Sequence, residues 1–450
     1  MSENAKLTRG SIRGHLVSQT LPMIIGVAAV MSIGLVDAFF IGQLGRDELA
    51  AISFIFPISV AITSMGVGMM VGINSVVARA LGEGDMDKAK RRANFGIVLA
   101  LVAGMVLALL LYLLLGPVFT LMQADEALMP LIRAYMVPYT MGFPLIMAIM
   151  GLNGVLRGQG EARLTSYVSL SYAVANWILD PILITGAFGF EGFGIEGAAY
   201  ATIVGWAIGV AFALWLMRRT DIPVDPAMVL KCRVKEPLWA IIKVAGPAAM
   251  SNSINPIGLS VLTALVASEG AAAVAGFGAA GRVQSFAVVP LLGLSGSIGA
   301  IVGQNWGANQ PNRARRAMFG AGIFALVWGL GMGVVLTLFG DWFADFFSDD
   351  PDVIDEFALY LSIAAWGYAG YGILITANGA LNAVDRASYA LIQSVARVFL
   401  IMLPFAWLMR AEWGSAAIYA AELAANLIGG AIAAFVVWRV LSRGRPRGHS

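Results

Sequence analysis

The chain has 450 residues, 59% of them apolar and only 12% charged. Soluble domains carry about 25% charged residues, so a soluble globular protein is excluded. The net charge of +2 says little, because a membrane protein is read by where its charges lie.

Crossing a bilayer takes about 20 consecutive apolar residues. That rule predicts twelve helices, at residues 17–42, 49–80, 93–117, 127–156, 164–188, 195–217, 238–268, 272–303, 317–340, 353–383, 388–409 and 414–440. The expected fold is an all-α membrane protein. In the first helix Asp37 is the one charge between residues 21 and 42. In the fifth, Asp180 is the one charge between residues 164 and 190. A carboxylate inside a span costs about 2.5–3.5 kcal/mol on insertion scales, so each is a functional candidate.

After the sixth helix comes a polar stretch with Pro223, Pro226 and Pro237. It divides the chain into an N-lobe (1–217), a cytoplasmic linker (218–237) and a C-lobe (238–450). Shifted by 225 residues, the chain partly overlays itself. Leu21-Pro22 meets Gly246-Pro247, the run from Ala78 to Gly84 meets Gly303 to Asn309, and Asn153-Gly-Val-Leu156 meets Asn378-Gly-Ala-Leu381. Six helices per half make this a parallel repeat about an axis along the membrane normal, with a cleft between two lobes. Asp37 and Asp180 have no counterpart in the second half, and the buried acids are expected in the first lobe alone.

The basic residues orient the chain. Lys6, Arg79, Lys88 to Arg92, Arg157, Arg218, Lys231, Arg233, Arg313, Arg386, Arg445 and Arg447 are among 24 of the 29 that fall on one set of loops. Arg46, Arg133 and Arg410 fall on the other. Positive residues stay in the cytoplasm, so both termini are expected there, in an inner-membrane protein contacting lipid. No cleaved signal peptide is expected.

By helical rise Asp37 and Asp180 reach similar depth in the outer half of the membrane. Asn176, four residues before Asp180, shares its face. Thr202 on helix 6 and Tyr135 and Tyr139 on helix 4 converge there, and Asn153 lies deeper. Two carboxylates in low dielectric cannot both ionise cheaply, so one holds a proton. The alternative is a Na⁺ held by the oxygens of Asp37, Asn176, Asp180 and Thr202, the ligands a hard cation takes. Both stay open. Interhelical bonding for Asn176 and Thr202, and an interfacial belt for the tyrosines, are the purely structural roles. Pro22 removes a backbone hydrogen bond inside helix 1 and is a hinge candidate. One cysteine, Cys232, and two histidines, His15 and His449, leave no disulfide framework and no His/Cys metal site. No cofactor and no nucleic-acid partner is expected.

Leu21-Pro22 opening helix 1, Gly34-Leu-Val-Asp37 within it, Asn153-Gly-Val-Leu-Arg157 after helix 4 and Gly303-Gln-Asn-Trp-Gly-Ala308 after helix 8 together resemble the multidrug and toxic compound extrusion (MATE) transporters. The resemblance implies antiport, with cationic or amphipathic drugs or toxicants leaving as H⁺ or Na⁺ enters, by alternating access. Asp37 with Asn176 and Asp180 resembles the DinF-like branch, where such residues and a helix-6 threonine, here Thr202, form the cation site. Tyr135 and Asn153 match polar helix-4 positions of the same cavity. Asn255 stands near the helix-7 acid of the NorM-like branch, and helix 10 has no acid between Phe357 and Val384. Three other readings compete. They are a lipid-linked oligosaccharide flippase, disfavoured because Arg282 and Arg397 are the only bases within the spans, an intramembrane aspartyl hydrolase using Asp37 and Asp180, and a passive channel. A monomer suffices for two such lobes.

Overall fold

Apolar runs without a breaker form helices because a lipid-facing backbone must satisfy its own hydrogen bonds. The structure, a computed structural model, describes residues 5–187, 189–225, 227–230 and 234–444. Cys232, His449, Lys231, Arg233, Arg445 and Arg447 lie outside the described residues. The spans are α1 (Ile12–Gly42), α2 (Arg46–Glu83), α3 (Met86–Leu121), α4 (Met129–Met141 and Phe143–Gly158, bent by 45°), α5 (Ala162–Thr185), α6 (Ile195–Met217), α7 (Lys235–Ala267), α8 (Ala271–Ala287 and Val289–Gly307, bent by 43°), α9 (Pro311–Leu338), α10 (Pro351–Ala383), α11 (Ala387–Trp413) and α12 (Ser415–Ser442). Among the described residues there is no strand. The fold is that of twelve membrane helices in two pseudo-symmetric halves.

Several helices overrun the predicted spans because polar caps start them in water. Asp85 accepts a hydrogen bond from Lys88 N at 2.8 Å and begins α3 at Met86, seven residues early. Ser11 does the same for Gly14 N and begins α1 at Ile12. The linker is tied to the first half. Ile222 N donates to Gln159 Oε1 at 3.1 Å and Asp225 N to Asn94 Oδ1 at 2.7 Å.

Between the halves, contacts recur at the 225-residue interval. A Cβ on Gly68 (α2) would meet Ala249 (α7) at 2.5 Å, and one on Gly293 (α8) would meet Ile24 (α1) at 2.8 Å. Thr20 and Ser297 share a hydrogen bond of 2.8 Å where Ala245 backs Gly72 in the other copy. These contacts close the half of the molecule nearer the chain ends, and glycine is what lets the backbones meet.

The closure is reinforced by exchange. Ile12 and Leu16, in the first turns of α1, pack into the apolar core built by α8 to α12, whereas Val30, Ile33 and Ile41 of the same helix belong to the first half's core. Ala240, Ile241 and Ala245 of α7 join the first half's core, while Leu262 and Val266 join the second. Each helix therefore crosses from one half to the other. A short turn, Lys6–Thr8, lies over the seam. Lys6 pairs with Glu161 at 2.6 Å and Asp221 at 3.5 Å, on the first half. Leu7 N donates to Gln304 Oε1 at 3.0 Å, and Asn305 Nδ2 to Leu7 O at 3.1 Å, on the second.

Candidate coupling site and interlobe cavity

α5 carries Asn176 and Asp180 one turn apart and both are buried, Asp180 completely. Pro181 follows. It has no N–H, and the chain runs on as a wider π-helical turn, Pro181–Thr185, with Thr185 Oγ1 donating to Pro181 O at 2.9 Å. The loop after it folds back, Phe193 N donating to Leu183 O at 2.7 Å and Gly194 N to Ile184 O at 3.1 Å. This pins the end of α5 and, with it, Asp180.

α1 brings Asp37 to the same place. The two carboxyl groups face each other within interacting range, with Asn176 beside Asp37. Asn176 Nδ2 donates to Thr202 Oγ1 on α6 at 3.5 Å, a long bond. Asp37 Oδ1, Asn176 Oδ1 and both oxygens of Asp180 are buried and without a donor. Two carboxylates can only accept, so no hydrogen bond joins them until a proton sits between them. Four buried oxygens lacking donors, on three neighbouring side chains, are the kind of group that takes a shared proton or a small hard cation. Asp37, Asn176, Asp180 and Thr202 would be the ligands of Na⁺. Among the described residues no cluster of three or more His, Cys, Asp or Glu could hold another metal.

The site opens on a cavity of about 720 Å³ between the halves, on the side away from the chain ends. Asp37, Asn176, Thr202, Tyr135 and Tyr139 all line it. The two tyrosines pack one turn apart with tilted rings, centroids 5.1 Å, and Tyr139 packs on Trp206 at 5.4 Å. Arg282, Ser285 and Phe286 of α8 form part of the opposite wall. Asp180 sits behind Asp37 and is not on the cavity surface. Asn153 does not line the cavity, contrary to expectation. It is 3% exposed, four turns nearer the chain ends than Tyr139, with Oδ1 unpartnered. Pro22 lies inside an unbroken α1, its carbonyl accepting from Ser166 Oγ at 2.5 Å.

Buried acids are not confined to the first half. Glu422, in α12, is 6% exposed and accepts from Gln284 Nε2 at 2.6 Å and Tyr360 OH at 2.8 Å. It shares a cavity of about 130 Å³ with Arg397, which donates to Asn426 Oδ1 at 2.9 Å and Asn255 Oδ1 at 2.8 Å. The signal was present in the sequence. Glu422 is the one charge in residues 411–438 apart from Glu412, the same pattern that singled out Asp37.

Two helical halves about a pseudo-two-fold axis, with a cavity between them, are the architecture of a membrane transporter, and the match to a family of transporters and not enzymes removes the aspartyl hydrolase reading. The family model MatE matches the chain twice, over residues 22–182 and 247–408. The chain belongs to the MATE family. It is 33% identical to the FAD transporter of Shewanella oneidensis over 90% of each chain, and 24% identical to a probable multidrug resistance protein, NorM, of Thermotoga maritima over 88% of this chain and 86% of that one. The Vibrio cholerae MATE transporter VcmN in its bent form superposes with a TM-score of 0.90 at 30% identity, covering 96% of this chain and 97% of the other.

Proposed function

We propose that the protein is a cation-coupled antiporter that exports amphipathic or cationic organic compounds through the interlobe cavity. One observation carries the reading: Asp37, Asn176 and Asp180 lie together beside the cavity wall with four buried oxygens that have no donor. A proton or Na⁺ arriving there fills an unmet bonding need, and its departure restores a costly pair of carboxylates. Loading thus differs in energy between conformations that bring α1 and α5 together and those that do not, which is what coupling requires.

The same cluster, with Asn255 in α7 and no acid between Phe357 and Val384 in α10, supports the DinF-like branch. The basic loops support cytoplasmic termini in an inner-membrane protein, which makes the cavity outward-facing here. Pro22 serves as the hinge of α1, about 22 Å along the axis from Asp37 by helical rise. Two lobes with a cavity between them suffice as a monomer. The cavity's aromatic wall suits flat-ringed compounds, and flavins enter the substrate range because a relative is an FAD transporter. A flippase for lipid-linked oligosaccharide is less well supported, since the cavity has a single arginine, Arg282.

The test is efflux from proteoliposomes under separately imposed pH and Na⁺ gradients. Wild-type protein responds to one of them, and Asp37→Asn and Asp180→Asn lose the response. Equal efflux with no gradient would make it a channel and overturn the reading.

A further inference from the structure

The cavity holds a charge that the coupling site does not use. Arg282 lies about 16 Å along α8 from its first residue by helical rise, within the stretch read as crossing the membrane. It is exposed and lines the cavity. Among the described residues no ion pair or hydrogen bond holds its guanidinium. Arg397 is different, since two asparagine oxygens accept from it. An ionised side chain kept inside a membrane span without a protein partner is costly and functional by default.

Its surroundings say what it meets. Ser285 and Phe286 flank it, and Tyr135, Tyr139 and Trp206 stand on the first half's wall. A cavity of about 720 Å³ is within the range that encloses a drug-sized molecule, roughly 300–1,000 Å³. Flat rings lie well against tyrosine and tryptophan. The guanidinium fork matches the paired oxygens of a phosphate or carboxylate. Resting on the reading of this cavity as the export site, we propose that Arg282 recognises a phosphate-class anionic group on an amphipathic substrate whose flat ring packs against Tyr135, Tyr139 and Trp206. The cavity then selects for molecules that place a ring on one wall and an anion on the other.

Riboflavin and its 5′-phosphate, FMN, differ by that one group and share a fluorescent ring. Their binding to the purified protein in phosphatidylcholine nanodiscs, read as fluorescence quenching, gives an affinity ratio. Wild-type protein binds FMN roughly ten-fold or more tightly than riboflavin. In Arg282→Gln the ratio falls to about one. Arg282→Lys, which keeps the charge and loses the fork, is intermediate. No FMN binding, equal binding of the two by wild type, or a preference that survives in Arg282→Gln each overturns the proposal. Loss of the preference when phosphatidylglycerol replaces part of the phosphatidylcholine would assign the arginine to a lipid headgroup and also overturn it. Gradient-driven efflux by Asp37→Asn, measured in parallel, separates the two readings. Its loss beside an unaltered FMN ratio in Arg282→Gln leaves coupling standing and removes this inference alone.

Discussion

Gly82 and Gly307 occupy equivalent places 225 residues apart, and each is pressed against the other half of the molecule. A Cβ on Gly82 would come 2.1 Å from the carbonyl oxygen of Gln304, and one on Gly307 would come 2.3 Å from that of Arg79, itself the counterpart of Gln304. The pseudo-two-fold axis passes between them. Neither position tolerates a side chain while the seam is shut. Gly82→Val or Gly307→Val should cost about 1–3 kcal/mol in the closed form by overpacking and favour opening on the side of the chain ends. Thiol labelling of Ser297→Cys, buried in the seam, checks this. Labelling should quicken in either valine variant, and an unchanged rate would show that the contact does not govern closure.

Thr202 separates the two coupling ions. Its hydroxyl is one of the oxygens a Na⁺ would use, yet a proton shared by Asp37 and Asp180 does not need it. Thr202→Val should leave proton-driven efflux within about two-fold and reduce sodium-driven efflux ten-fold or more, since a hard cation loses one of few ligands. Proteoliposome efflux under each gradient measures both, and equal losses under the two gradients would contradict the assignment.

Glu422 tests where coupling resides. Glu422→Gln keeps an acceptor for Tyr360 and removes the charge. Gradient-driven efflux should persist in it. Glu422→Ala leaves the Gln284 amide N–H without its acceptor, while Tyr360 OH keeps Gln284 Oε1 at 2.7 Å, and should destabilise by about 1–3 kcal/mol, seen as a lower midpoint in detergent thermal unfolding. Loss of the gradient response in the glutamine variant at normal stability would move a coupling step into the second half.

The seam has its own pH signature. Partial burial pulls the Lys6 ammonium down, but the Glu161 and Asp221 carboxylates more than offset this, and its pKa lies above the usual 10.5. A raised lysine pKa contributes stability in full below the unfolded value, and the contribution disappears as pH rises through the folded one. Lys6→Met should therefore cost less than about 1 kcal/mol, Lys6 being half-exposed, and the cost should stay constant between about pH 6 and 9. Unfolding midpoints across that range check it; a cost that changes within the range would rule out the lysine as its source.

Much of this was legible in the chain. Span number follows from uninterrupted apolar length, and the offset of 225 follows from repeated turns such as that of Gly303 to Asn309. The meeting of α1, α5 and α6 followed from depth counted along helices, because helical rise is constant. Asn153 shows the limit. Depth along α4 does not reveal which way its side chain points once the helix bends at Gly142. Glu422 and Arg282 were visible as lone charges, but only packing shows that one is fully bonded within its lobe and the other is left facing a void. The exchange of the first turns of α1 and α7 is a tertiary choice, since an apolar helix end has no chemical preference for one apolar core over another.

That exchange limits how the molecule can move. A half that lends the root of one helix to its neighbour cannot swing as a rigid block, because two rods are clamped in both blocks at once. Any rocking must be taken up as flexure of α1 and α7 where they pass over. Pro22 and Pro247 sit at those two places, each lacking one rung of the backbone ladder. A matched pair of prolines, 225 residues apart, thus stands where that flexure would fall.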